Sequence, residues 1–155
     1  MTTHVTIAYV GLGSNLEEPE NQVRQAFDEL DRLPHTRVVR KSSLYRTAPI
    51  GHEAQPDFIN AVVQLETGLP AERLLAELQG IEQRHGRERT FKNAPRTLDL
   101  DLLLFGDARL DLPQLTVPHP RMHERAFVLK PLLEIAPQLP LSLEGCAGQK
   151  IERIG

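Results

Sequence analysis

Asp99 and Asp101 stand two residues apart in Pro95-Arg96-Thr97-Leu98-Asp99-Leu100-Asp101, and this spacing is the strongest chemical signal in the chain. The dense apolar run 98–105 predicts a strand, on which side chains alternate between faces. Both carboxylates then leave one face while Leu98, Leu100, Leu102 and Leu104 leave the other. Neighbouring carboxylates repel each other unless a cation lies between them. On so apolar a strand, two unpaired carboxylates are costly, which favours a bound cation. Magnesium suits the pair, because it takes one or two carboxylates together with phosphate oxygens and waters. A bare D-x-D is weakly specific, and pairing with arginine or capping a turn is the competing reading. The residues just upstream decide between them. Arg84, Arg87, Arg89, Lys92 and Arg96 put five cationic side chains within 13 residues. The planar fork of arginine matches phosphate oxygens, and arginines beside a metal are what a polyphosphate requires. Arg84 and Lys92, taken singly, read equally well as a solvated basic loop. Residues 90–94 offer little apolar surface, which predicts a flexible catalytic loop able to close over a nucleotide.

Glu82 falls four residues after Leu78, on the stripe of a helix that should be buried, and Gln79 shares its edge. An inward carboxylate and amide need hydrogen-bond partners. Bonds to loop backbone amides and a place in the pocket lining are equally good readings. His119 is held between Pro118 and Pro120, where it is suited either to a phosphate or to a structural loop role. Arg125 could add a phosphate contact from a helix start. His123 reads as a surface residue, and His4, His35, His52 and His85 receive no role. G-x-x-x-x-G-K-[ST] does not occur, so a P-loop is excluded. Gly11-Leu12-Gly13-Ser14-Asn15 lacks the third glycine of a dinucleotide loop; it reads as a turn bringing backbone close to a ligand or a neighbouring strand.

The elements that must position these residues follow from periodicity. Val5, Ile7 and Tyr9 alternate as in a strand, which Gly11 is expected to end. Val23, Ala26, Phe27, Leu30 and Leu33 recur at helical spacing between Pro19 and Pro34. Strands are predicted over Val38–Thr47 and Phe58–Glu66, separated by a polar loop. A second helix buries Leu74, Leu75, Leu78 and Ile81 and stops near Gly86. After the aspartate strand, residues 108–117 give at most short strands. Residues 122–136 have helical content that Pro131 is expected to split or kink, and little pattern follows Pro140. The order of strand, helix, strand, strand, helix, strand with a helical tail implies an α+β fold. It is a ferredoxin-like antiparallel sheet with helices packed against it.

Composition narrows the class. The chain has 155 residues, 40% hydrophobic and 25% charged, which fits one globular domain. A net charge of −3 gives no general attraction to nucleic acid or membrane. The single cysteine, Cys146, excludes an internal disulfide and fits a reducing compartment. With neither a signal peptide pattern nor a membrane-spanning run, the expectation is a one-domain cytoplasmic protein.

Taken together, Tyr9 to Leu16, Ser43-Leu44-Tyr45-Arg46-Thr47, Gln55 to Asn60, Pro95 to Leu104, Val117-Pro118-His119 and Arg125-Ala126-Phe127 resemble the 6-hydroxymethyl-7,8-dihydropterin pyrophosphokinase family, and the likeness runs to about Pro137. It implies attack of the pterin hydroxymethyl oxygen on the β-phosphorus of ATP, with AMP leaving. It implies two Mg²⁺ held by Asp99 and Asp101, with Arg87 and Arg96 also catalytic and Asp99 placed to assist deprotonation. ATP would be held by Gln79, Glu82, Arg87, Arg89, Arg96, His119 and Arg125, the adenine lying near the backbone of Leu102. The pterin would lie between Phe58 and Phe127, its edge bonded by Asn60 and by backbone groups of Thr47, Ala48 and Ile50. With the resemblance goes the expectation of a monomer acting on small molecules, with no nucleic-acid or membrane partner. The chain departs from many relatives at Asn93 and Ala94, where tryptophan and glycine are usual, and at Pro120, where some carry tyrosine.

Two other classes compete. An RNA-recognition module would need exposed sheet aromatics and a basic surface, but aromatics are 5% of the chain and the charge is negative. A phosphohydrolase would use the same aspartates to activate water.

Overall fold

A computed structural model describes residues 5–15, 18–48, 57–86, 97–146 and 148–155. Strand β1 (Thr6–Ser14) sends Ala8, Val10 and Leu12 into one core and Tyr9 into another. It runs through both glycines, where the sequence pattern predicted a stop at Gly11. Partners on both sides account for this: β1 pairs antiparallel with β4 (Phe58–Thr67) and with β5 (Asp99–Phe105). Pairing on both sides overrides the weak strand propensity of glycine.

The stretch expected as one strand over 38–47 forms two, β2 (Thr36–Lys41) and β3 (Tyr45–Thr47), both pairing with β4. Ser42 makes the break. Its backbone N–H reaches Val62 O, while its hydroxyl oxygen accepts the Val62 N–H, each at 2.9 Å. A side chain thus takes the place of a ladder carbonyl.

Helices α1 (Pro19–Asp31) and α2 (Ala71–Arg84) cover one face of the sheet. Val23, Ala26, Leu30, Leu74, Leu78 and Ile81 pack there with Val10, Leu12, Leu100 and Leu102. The strand order β5-β1-β4-β2 with crossovers α1 and α2 is the ferredoxin-like arrangement, so the predicted α+β fold holds. Helix α3 (Ala126–Ile135) covers the other face, packing on Tyr9, Val62 and Leu103. Pro131 lies inside α3 and does not divide it. An interior proline costs about 3 kcal/mol. Leu129 and Leu132 are fully buried, and each such burial returns about 1.5–3 kcal/mol. The one bond lost is the donor that residue 131 would offer to the Phe127 carbonyl.

The tail also has structure that its sequence hid. Strand β8 (Glu152–Arg153) pairs with β3, and Gln149 caps α3, accepting from Ala126 N at 2.9 Å and donating to Glu124 O at 2.7 Å. Residues 110–117 form a hairpin, β6 (Leu110–Leu112) and β7 (Leu115–Val117), as the short-strand reading expected. Among the described residues no helix is long and apolar enough to cross a membrane.

Candidate active site

The register of three strands brings the aspartates to the asparagine. Gly13 of β1 pairs with Asp99 of β5 on one side and with Asn60 of β4 on the other; Gly11 pairs likewise with Asp101 and Val62. Residues directly opposite in a ladder share a face. Asp99, Asp101, Asn60 and Phe58 therefore rise from the face that α3 covers farther along. Between acid and amide stands only glycine, so the sheet there is a shallow floor. The sequence had suggested close backbone approach at these glycines but placed them in a turn. Strand register, which one chain's periodicity does not give, was the missing information.

Both aspartates are half-buried. Leu100 and Leu102 face the opposite core, as alternation predicts, but Leu104 does not. The pairing of β1 with β5 shifts at Tyr9/Val10, where Val10 meets Leu102 and Tyr9 meets Leu104. The extra residue, Leu103, is a bulge, and it turns Leu104 toward the cluster under α3. The entry to β5 is tied down by Ser14, whose hydroxyl donates to the Thr97 carbonyl.

Glu82 is 3% exposed, and its Oε2 accepts the Leu100 backbone N–H at 2.8 Å. The inward placement expected from spacing is correct, and one partner is a strand amide. Gln79, expected to face inward with it, is exposed. At positions 75 and 79 the helix has turned its edge toward solvent, and Leu75 itself is only half-buried.

His119 follows a cis Val117–Pro118 bond. Its N–H donates to Leu103 O at 2.9 Å, and its Nδ1 accepts from Arg121 N at 3.2 Å. Burial, then the charges of Arg125 and Arg121, hold its pKa below the ordinary 6.5, while Asp99 pulls the other way. The fold thus brings Arg121, Arg125 and Asp99 within electrostatic reach of His119. Arg125 also lies over the Phe127 ring, 5.4 Å from its centre.

On the far side of the floor, Thr47 pairs with Phe58 and Tyr45 with Asn60. The buried Asn60 amide donates Nδ2 to Thr47 Oγ1 at 2.8 Å. Phe58 and Phe127 are each half-buried, and Ala48 is exposed. Ile50, Arg87, Arg89, Lys92, Asn93, Ala94 and Arg96 lie outside the described residues. Among those described, no group of three or more acidic, histidine or cysteine side chains is arranged to hold a metal ion. Two carboxylates are few for calcium or zinc. They fit magnesium, which draws its remaining ligands from phosphate and water.

Fold and site together define an α+β protein of the ferredoxin-like class, with a carboxylate pair and a buried amide on one sheet face. The chain belongs to the 7,8-dihydro-6-hydroxymethylpterin-pyrophosphokinase (HPPK) family, whose match spans residues 9–137. It is 49% identical over 154 residues to 2-amino-4-hydroxy-6-hydroxymethyldihydropteridine pyrophosphokinase of Pseudomonas aeruginosa, covering 94% of this chain and 95% of that one. Its likeness to the same-named protein of Haemophilus influenzae is 46% over 134 residues, covering 86% and 84%. Among solved structures it resembles Plasmodium falciparum HPPK-DHPS wild type with pteroate, at TM-score 0.71 and 14% identity. That match covers 96% of this chain and 42% of the longer one, and at such identity it speaks for the fold.

Proposed function

We propose that this chain transfers the pyrophosphoryl group of ATP to the hydroxymethyl oxygen of 6-hydroxymethyl-7,8-dihydropterin, giving the pterin diphosphate and AMP in folate biosynthesis. The observation that carries the reading is the row Asp99–Gly13–Asn60. A flat heterocycle bonded at its edge by Asn60 and lying over Gly13 extends its hydroxymethyl arm toward Asp99. The membership and the names of the relatives supply the substrate class.

In the reaction an oxygen–phosphorus bond forms at the β-phosphorus as the bridge to the α-phosphate breaks, and the hydroxyl proton is lost. Position and charge do most of this work. Asp99 and Asp101 would hold two magnesium ions, whose chemistry is to neutralise charge on the phosphates and align the attacking and leaving oxygens. Asp99 stands nearest the arm and assists removal of its proton. Arg87 and Arg96 would balance charge on the transferred group, with Arg89, His119, Arg125 and Gln79 holding the rest of the nucleotide. Glu82, through Leu100, fixes the strand whose Leu102 backbone would meet the adenine. Phe58 and Phe127 would stack on the ring, with Thr47, Ala48 and Ile50 at its edge. We take the chain to work as a monomeric, single-domain enzyme on these two small molecules.

Incubation with ATP, magnesium and the hydroxymethyl pterin tests this directly. Pterin diphosphate and AMP should appear in equal amounts. AMP or ADP formed without pterin diphosphate would overturn the reading and favour a phosphohydrolase.

A further inference from the structure

We infer that Glu134, near the end of α3, is a positioning residue that sets the pterin side of the site. The inference rests on the pterin-transfer reading above.

Glu134 follows Phe127 by seven residues, two helical turns, so the two side chains share one stripe of α3. Its carboxylate gathers donors from the opposite wall. The Ser43 N–H lies 3.0 Å from each oxygen, the Ser43 hydroxyl donates to Oε2 at 3.0 Å, and the Tyr45 hydroxyl donates to Oε1 at 2.7 Å. Arg153 of β8 adds its charge 3.7 Å from Oε2. These bonds, with burial opposing, hold the carboxyl below its ordinary pKa of 4.5, so Glu134 is ionised at neutral pH.

What these donors carry is the pterin wall. Tyr45 stands directly across from Asn60, and Thr47, two residues on, accepts the Asn60 amide. Strand β3 has only three residues, and its outer neighbour β8 only two. So short a ribbon is weakly fixed by its own ladder. Charge-assisted bonds to a helix supply the missing constraint. One carboxylate thus joins the helix that bears Phe127 to the strand that orients Asn60, and it fixes the gap between the two. Among the described residues, the candidate nucleotide groups Gln79, Glu82, Leu102, His119 and Arg125 lie on α2, β5 and the 119–125 segment, apart from β3 and the Glu134 end of α3.

The test is steady-state kinetics of Glu134→Ala, Glu134→Gln and Tyr45→Phe, with a melting curve for each. Glu134→Ala should raise the KM for the pterin about tenfold or more, the equivalent of one lost charge-assisted bond. The KM for ATP should stay within about twofold, because no nucleotide contact is touched. Glu134→Gln keeps an acceptor oxygen and should recover most of the pterin affinity. Tyr45→Phe removes one bond at constant shape and should move the pterin KM in the same direction, so the test survives if Glu134→Ala does not fold. A lowered melting temperature with both KM values unchanged would overturn the inference. So would equal rises in both. Were wild-type protein to make no pterin diphosphate at all, the proposed function would fail first; normal wild-type turnover with an unmoved pterin KM in the variants would defeat this inference alone.

Discussion

A Cβ added to Gly13 would stand 3.3 Å from the Oδ1 of Asn60, the residue directly opposite it on β4. Asn60 cannot easily yield, because its Nδ2 is committed to Thr47 Oγ1 at 2.8 Å. Gly13→Ala should therefore tilt the amide and crowd the floor on which the pterin is proposed to lie. Overpacking of this kind costs roughly 1–3 kcal/mol. Calorimetric titration with the pterin should show about a tenfold or greater loss of affinity, since 1.4 kcal/mol is tenfold. At Gly11 the same Cβ would meet Leu103 at an ordinary 3.5 Å. Gly11→Ala is accordingly the control. Equal losses in the two variants would remove Gly13 from the site.

Asp99→Asn and Asp101→Asn should abolish most turnover and leave the fold intact. Both side chains are half-buried and belong to neither apolar core. Removing a preorganised charge at a reacting phosphate costs on the order of 10²–10³ in rate. Thermal midpoints should stay close to wild type. A chelator for magnesium should reproduce the kinetic defect in the unaltered protein. Near-native rates in either variant would show that the pair does not hold the metal.

Glu82→Ala should weaken the protein more than either aspartate change. It leaves the Leu100 N–H inside without the acceptor now 2.8 Å away, and a buried orphan donor costs about 1–3 kcal/mol. Glu82→Gln keeps the acceptor and should lie between. If Glu82 also meets ATP, the KM for ATP will rise in both variants beyond what the stability loss explains. An unchanged KM would limit its role to fastening β5.

Which parts were legible beforehand follows from the range of the forces involved. Alternation on β5 and the leucine stripe of α2 are local signals, and they gave the fold and the facing of Asp99 and Asp101. The Pro95–Leu104 block, with those at Tyr9, Ser43, Gln55, Val117 and Arg125, carried the family. Register is non-local: nothing near Gly13 in sequence announces that Asp99 and Asn60 flank it, 86 and 47 positions away. The bulge at Leu103 reversed Leu104 for the same reason, since it exists only in the pairing with β1. Pro131 misled because its local cost is offset by burial of the helix around it. Strand β8 is too short to have a period, and its partner lies on β3.

The Tyr45–Glu134 bond makes stability depend on alkaline pH. Burial, then the bond to Glu134 and its negative charge, push the Tyr45 phenol from the ordinary 10.0 up to about 12. Folding therefore favours the neutral phenol. Its contribution is complete below pH 10, where the unfolded chain is also protonated, and is lost as pH rises toward 12. Tyr9, raised by burial, adds a loss of the same sign. Denaturant midpoints followed from neutral pH into this range should fall more steeply for wild type than for Tyr45→Phe, which has no proton to lose there. At the acid end the sign reverses. Glu134 is depressed below 4.5, so its contribution is present above that pH and is lost as pH falls through the lower folded value. Glu134→Gln should remove that acid dependence. Parallel alkaline curves for wild type and Tyr45→Phe would show that the phenol is not held as the geometry requires.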